Sequence, residues 1–116
     1  MKMAYKQVLL ICQNLKMPKG KLAAQAAHAA VQAVLSAKKD IVQAWLQEGG
    51  TKVALKVANE QELKRYLDKA RRKGLTTALI KDGAHTFFKE PTITCGAIGP
   101  NREEEIDTIT KELKLV

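Results

Sequence analysis

The sequence predicts an α/β fold: a three-layer sandwich in which a four-stranded mixed β-sheet is flanked by helices, in the order β-α-α-β-α-β-β-α. Three observations carry that expectation. Short runs at 7–13, 51–57, 75–81 and 92–98 are apolar or alternating, as strands are. Segments with helical spacing and recognisable end signals stand between most of them. The 82–91 link between the last two strands is too short for a helical crossover, so that pair is expected antiparallel and the sheet mixed. With 116 residues the chain is one domain, large enough for a real core and too small for two.

The first run, Gln-Val-Leu-Leu-Ile-Cys-Gln at 7–13, is continuous rather than alternating and suits a strand buried on both faces. A polar loop holding Pro18 and Gly20 follows, and a long alanine-rich helix runs from about Gly20 to Ala37. Its small residues, with Leu22, Ala23, Ala26, Ala27, Ala30 and Val34 flanking a polar stripe, are expected to face the sheet closely. Asp40 is the expected N-cap of a second helix through Trp45 to Glu48, which Gly49-Gly50 closes. Strand two alternates Val53, Leu55 and Val57. Asn59 caps a third helix with Glu62 as capping-box partner, Leu63, Tyr66, Leu67 and Ala70 as its buried face, and Gly74 as its stop. Strand three spans 75–81, and 82–91 is an irregular loop with Gly83. Strand four spans 92–98 and is expected to break at Gly99-Pro100. Asn101 opens a fourth helix to about Leu113, with Ile106 and Ile109 inward.

The chain carries 20 Lys+Arg against 12 Asp+Glu, a net charge of +8, which attracts polyanions and says nothing of fold. The charge is segregated. Lys2, Lys6, Lys16, Lys19 and Lys21 gather about the first strand and helix start, Lys64, Arg65, Lys69, Arg71, Arg72 and Lys73 form a second cluster, and Glu103-Glu104-Glu105 is acidic. One Trp, two Tyr and two Phe are too few for a base-stacking platform, so contacts to phosphate are the expected mode. Cys12 and Cys95 have no metal-ligand spacing and lie in apolar runs, which predicts reduced thiols in the core. Nothing calls for a metal or an organic cofactor. No window approaches the apolar length of a membrane span, and the first residues lack the pattern of a signal segment, so the cytoplasm is the default expectation.

Along the first helix Lys21, Gln25, His28 and Gln32 fall on one stripe, with Gly20 just ahead of Lys21. Free N–H groups at a helix start suit an anion, whereas cations there oppose the helix dipole. Lys19 and Lys21 are thus placed where a negative ligand would offset them. The same stripe is also what an ordinary solvated face looks like. In an α/β sheet ligands gather at strand ends beside helix starts. If strands one and three run parallel as near neighbours, the loop bearing Lys19, Gly20 and Lys21 shares a rim with the one bearing Asp82, His85 and Thr86. His85 reads either as an exposed loop side chain or as a base near neutral pH.

This pattern resembles the archaeal and eukaryotic type of peptidyl-tRNA hydrolase, whose motif there is D-L-x-M-x-x-G-K-x-A-A-Q-x-x-H-A. Leu15, Met17, Gly20, Lys21, Ala23, Ala24, Gln25, His28 and Ala29 match it. Further matches are Trp45, Glu48, Gly49, Lys52, Lys56, Val57, Asp82, Thr86, Thr92, Thr94 and Ile98-Gly99-Pro100. The resemblance covers essentially the whole chain. It implies an esterase that releases peptide from tRNA and so recycles tRNA dropped from the ribosome, acting as a homodimer on a peptidyl-tRNA substrate. It implies Lys21, Gln25, Asp82 and Thr86 as the catalytic neighbourhood, with His28 and Gly20 in support. In that reading Asp82 orients or deprotonates water, Gln25 and Thr86 donate hydrogen bonds, and Lys21 either stabilises negative charge or holds the terminal phosphate. Lys16, Lys19, Arg71, Arg72 and Lys73 are the expected contacts to the tRNA backbone.

The chain departs from the family pattern in two places. Cys12-Gln13-Asn14-Leu15 stands where R-x-D-L is usual, so a cation and a carboxylate are lost together. The loop after Asp82 inverts the usual Ala-Gly order and carries Pro91 near a customary glycine, which predicts a different loop backbone. Those departures define a second reading, a non-catalytic relative that binds tRNA or another polyanion through its basic rim. A third is a protein-interaction domain that dimerises through the alanine-rich helix and an apolar edge.

Overall fold

Eight residues whose side chains alternate between two apolar layers make the central strand, β1 (Tyr5–Cys12). Val8, Leu10 and Cys12 enter one layer, and Leu9 and Ile11 the other. A computed structural model describes residues 4–83 and 88–116. After β1 come a 3-10 turn (Gln13–Leu15), α1 (Lys19–Ser36), α2 (Lys39–Gln47), β2 (Lys52–Val57) and α3 (Glu60–Arg72). Then follow β3 (Thr77–Asp82), β4 (Thr92–Arg102) and α4 (Glu103–Thr110). The helix and strand order is the expected one.

The sheet order is β2-β1-β4-β3. β1 pairs parallel with β2 and antiparallel with β4, which pairs antiparallel with β3. β1 and β3 are therefore parallel near neighbours, and the loops leaving them share one rim. Helix α1 packs on one face against Ile11, Ala78, Ile80, Cys95 and Ala97. Helices α3 and α4 pack on the other, where Leu63, Leu67, Ile106 and Ile109 join Leu10 and Ile98. The mixed three-layer sandwich is thus as expected.

α3 forms as its end signals dictate. Asn59 Oδ1 accepts from the Glu62 backbone N–H at 3.0 Å, while Glu62 Oε1 accepts from the Ala58 N–H at 2.9 Å. The reciprocal pair satisfies two donors that the helix start would leave orphaned.

Four expectations need correction. β4 does not break at Gly99-Pro100 but runs on to Arg102. The β1–β4 register slips between Lys6 and Val8, so Gly99-Pro100 lies opposite Gln7 in a bulge that tolerates a residue without an N–H. Gly99 has φ +95, and a Cβ there would lie 2.7 Å from the Lys6 carbonyl oxygen. The buried Gln7 amide closes the bulge, donating from Nε2 to Gly99 O at 3.2 Å and to Ala30 O at 3.0 Å. Second, because β4 continues, α4 starts at Glu103 rather than Asn101, and it ends at Thr110. Third, α2 is capped by Lys38, with Asp40 inside its first turn, where a carboxylate complements the dipole. Fourth, the face that α1 turns to the sheet is rotated. Gln25, Ala29, Ala30 and Ala33 are buried, whereas Ala23 and Ala27 are exposed. An alanine-rich helix has so little contrast between faces that the sheet surface, not the helix, sets the rotation.

Candidate active site

The rim at the C-terminal ends of β1 and β3 is assembled by three turns of chain. Past the 3-10 turn Lys16 adopts the left-handed conformation, φ 49 and ψ 47. That conformation is uncommon outside glycine and redirects the chain into α1. Pro18 precedes the helix with extended backbone, and its carbonyl accepts the first helical bond, from the Leu22 N–H at 2.9 Å. Pro18 lends its fixed φ to this start.

Two residues into α1, Lys21 Nζ forms an ion pair with Asp82 Oδ2, at the end of β3. Only 19% of the Lys21 side chain and 9% of that of Asp82 are accessible, so the pair is weakly screened by water. The changed loop after Asp82 therefore does not take its carboxylate away from Lys21. The Lys21 ammonium also lies 5.7 Å from the centre of the Phe88 ring, within cation–π range.

One turn along α1, Gln25 is buried and its Nε2 donates to Thr94 Oγ1 at 2.8 Å. Thr94 is fully buried. The β3–β4 register slips between Ile80 and Lys81, leaving Thr94 as the extra residue of a bulge. A bulge re-aims a side chain, here towards α1. Thr94 Oγ1 also lies 3.7 Å from Cys95 Sγ, and the Cys95 thiol donates to the Gln25 carbonyl at 3.3 Å. Gln25 is thus held at its main-chain carbonyl by Cys95 and at its side chain by Thr94, which takes one of the two Nε2 hydrogens.

The structure brings Lys21, Gln25 and Asp82 together. Thr86 and His85 lie outside the described residues. Gly20 sits in the first turn of α1, and no described heavy atom comes within 4 Å of a Cβ built on it. His28 is exposed, on the same stripe as Lys21 (about 20° round the helix) but about 10 Å along it. Lys16 and Lys19 are exposed at the mouth of α1. Arg71, Arg72 and Lys73 do not share this rim: they close α3 at the opposite end of β3, on the other face of the sheet. There Arg71 Nη1 donates to Asp68 Oδ1 at 2.9 Å and Lys73 Nζ to Thr108 Oγ1 at 2.7 Å.

Two side chains at the rim had no role assigned from the sequence, Thr94 and Phe88. A threonine at alternate positions of an apolar strand (Thr92, Thr94) is the signal that could have marked the first. Phe88 carried none.

The two cysteines take no part as nucleophiles. Burial, with Cys95 and Glu60 nearby, pushes the Cys12 thiol up to about 12, and burial also raises that of Cys95. Both are free and buried and stay protonated near neutral pH. Among the described residues no three His, Cys, Asp or Glu side chains group to hold a metal ion, and no helix is long and apolar enough to cross a membrane. What remains is a partly buried ammonium–carboxylate pair with a fixed amide beside it. That set suits water activation and stabilisation of a developing oxyanion.

Comparison with known proteins gives the family. The chain is 46% identical over 114 residues to a peptidyl-tRNA hydrolase of Methanopyrus kandleri, covering 97% of this chain and 98% of that protein. It is 46% identical over 115 residues to the peptidyl-tRNA hydrolase of Thermococcus onnurineus, with 97% and 98% covered. The Methanocaldococcus jannaschii peptidyl-tRNA hydrolase is 45% identical over 114 residues, with 96% and 99% covered. Residues 5–116 match the family described as peptidyl-tRNA hydrolase PTH2, and the chain belongs to that family.

Proposed function

We propose that this chain hydrolyses the ester between the peptide C-terminus and the 3′-terminal ribose of tRNA, returning free tRNA to translation. The observation that carries the reading is the Lys21–Asp82 ion pair beside the Gln25–Thr94 hydrogen bond, in a chain of this family. Asp82 holds the attacking water and takes its proton. The Lys21 ammonium stands beside the tetrahedral oxyanion, and on its collapse Asp82 returns the proton to the ribose oxygen, which leaves as the hydroxyl. Gln25 positions the carbonyl, and Thr86 supplies a further donor. Gly20 leaves room at the helix mouth. His28 stands too far along α1 to touch the reacting atoms and supports the helix surface instead.

Lys16 and Lys19 meet the phosphates of the acceptor end. Arg71, Arg72 and Lys73 meet RNA only where it reaches the far end of the molecule. The exposed pair Val31 and Leu35, 60% and 81% accessible and one turn apart on α1, supports a homodimer through that helix. The substrate arises where ribosomes work, which puts the enzyme in the cytoplasm.

Release of N-acetyl-aminoacyl groups from tRNA by the purified protein tests the proposal. Wild type is expected to turn over, and Lys21→Ala and Asp82→Ala to lose activity by at least about 100-fold. Activity that survives both substitutions removes the site assignment. No turnover, with salt-sensitive tRNA binding retained, favours the non-catalytic reading instead.

A further inference from the structure

The geometry points to a track for the peptide half of the substrate along the outer edge of β3, an inference that rests on the hydrolase reading above. The sheet has two edges. That of β2 is occupied, because residues 114–116 lie against it antiparallel: Lys56 N–H donates to Lys114 O at 2.8 Å and Val116 N–H to Ala54 O at 3.0 Å. Along the outer side of β3 no strand pairs among the described residues.

The groups offered there can be named. Gly99 N–H donates to Thr76 O at 2.8 Å, so Thr76 faces β4. Antiparallel alternation then turns Ala78 and Ile80 to β4 as well, and sends the N–H and C=O of Thr77 and Leu79 outward. Unpaired main-chain groups of this kind are a template for an added strand.

The edge leads to the chemistry. β3 ends at Asp82, which holds Lys21. A peptide with its last carbonyl at that pair has α1 on one side of the sheet and α3 on the other, and the edge of β3 is the open way out. It would run parallel to β3, its C-terminus at Asp82 and its N-terminus towards Thr77. Three residues of strand separate Leu79 from Asp82, about 10 Å, so the third or fourth residue from the ester reaches Leu79. Leu79 itself is 39% accessible and lines a shallow groove with Lys64, Leu67, Asp68 and Arg71, where alternate peptide side chains can lie. Main-chain bonds do not read side chains. The substrate class this selects is tRNA esterified with a peptide of several residues and of any sequence.

The test compares N-acetyl-alanyl-tRNA with esters of two, three, four and five alanines, using the full chain. KM is expected to fall about 5- to 100-fold between two and four residues, with kcat changed less, from two added main-chain hydrogen bonds. Methylating the peptide nitrogen of the third or the fourth residue from the ester should abolish that gain. In Leu79→Pro, which removes an outward N–H, KM of the four-residue ester should rise towards that of the single-residue ester. A KM that is flat with length, or a gain that N-methylation leaves intact at every position, overturns the track and leaves the hydrolase reading standing. A flat KM with a dimer that Leu79→Pro dissociates assigns the edge to a second copy and also overturns it. Absence of turnover on every ester overturns the hydrolase reading and this inference with it.

Discussion

Replacing Thr94 by valine keeps the shape of a fully buried side chain and removes one oxygen. That oxygen accepts from Gln25 Nε2 at 2.8 Å and lies 3.7 Å from Cys95 Sγ. The loss leaves a buried amide donor without its partner, a penalty of about 1–3 kcal/mol. For a domain of this length that lowers Tm by about 4–12 °C. A second effect is separable from the first. With its amide released, Gln25 can leave the orientation that Thr94 gives it, one helical turn from Lys21, and misplacement of about 1 Å in a reacting site is worth about 100-fold in rate. The kcat of Thr94→Val is therefore expected to fall about 10- to 100-fold at a temperature where the variant is fully folded. Gln25→Ala should lose a similar factor, and the double variant little more than either alone, because both remove one positioned group. The assay is steady-state hydrolysis of N-acetyl-aminoacyl-tRNA, with thermal denaturation followed by circular dichroism. Multiplying losses, or an unchanged kcat in Thr94→Val, would refute the claim that Thr94 acts through Gln25.

Gly99→Ala places a Cβ 2.7 Å from the Lys6 carbonyl oxygen at a φ of +95, so it should destabilise the fold by at least about 2 kcal/mol in urea titration. Asn59→Ala removes the side-chain cap of α3, and a loss of about 1 kcal/mol is expected in the same titration. Cys12 should resist thiol reagents at pH 8 until the chain is unfolded. Its raised thiol pKa also contributes stability that is present below pH 9.0 and lost as pH rises towards about 12. Urea midpoints measured across that range should fall, and should fall less in Cys12→Ala.

The parts of the fold that were legible in the sequence are those decided by neighbours along the chain. Helix α3 announces itself through Asn59, Glu62 and the spacing of Leu63, Tyr66, Leu67 and Ala70. The meeting of Lys21 with Asp82 was legible by a longer route, because a mixed sheet with β1 and β3 parallel leaves their loops on one rim. What escaped depends on the partner across a gap. Nothing local says that Gly99-Pro100 continues a strand, since the bulge exists only against Gln7 on β1. Thr94 is likewise aimed by a slip of register against Ile80. The facing of α1 escaped because alanine on every side tells little about which side is inward. The separate cluster at Arg71, Arg72 and Lys73 was read with Lys16 and Lys19 as contacts to tRNA, and chain direction places the two groups at opposite ends of β3.

The amide of Gln7 has a mechanical meaning. By gripping the carbonyl of Ala30 it pins the middle of α1 to the sheet, nine residues, about 13 Å, behind Lys21. A rod held there would swing its front by about 1 Å for a tilt of about 5°. Shortening the Gln7 side chain should thus loosen the reacting groups from a distance, through leverage and not through contact.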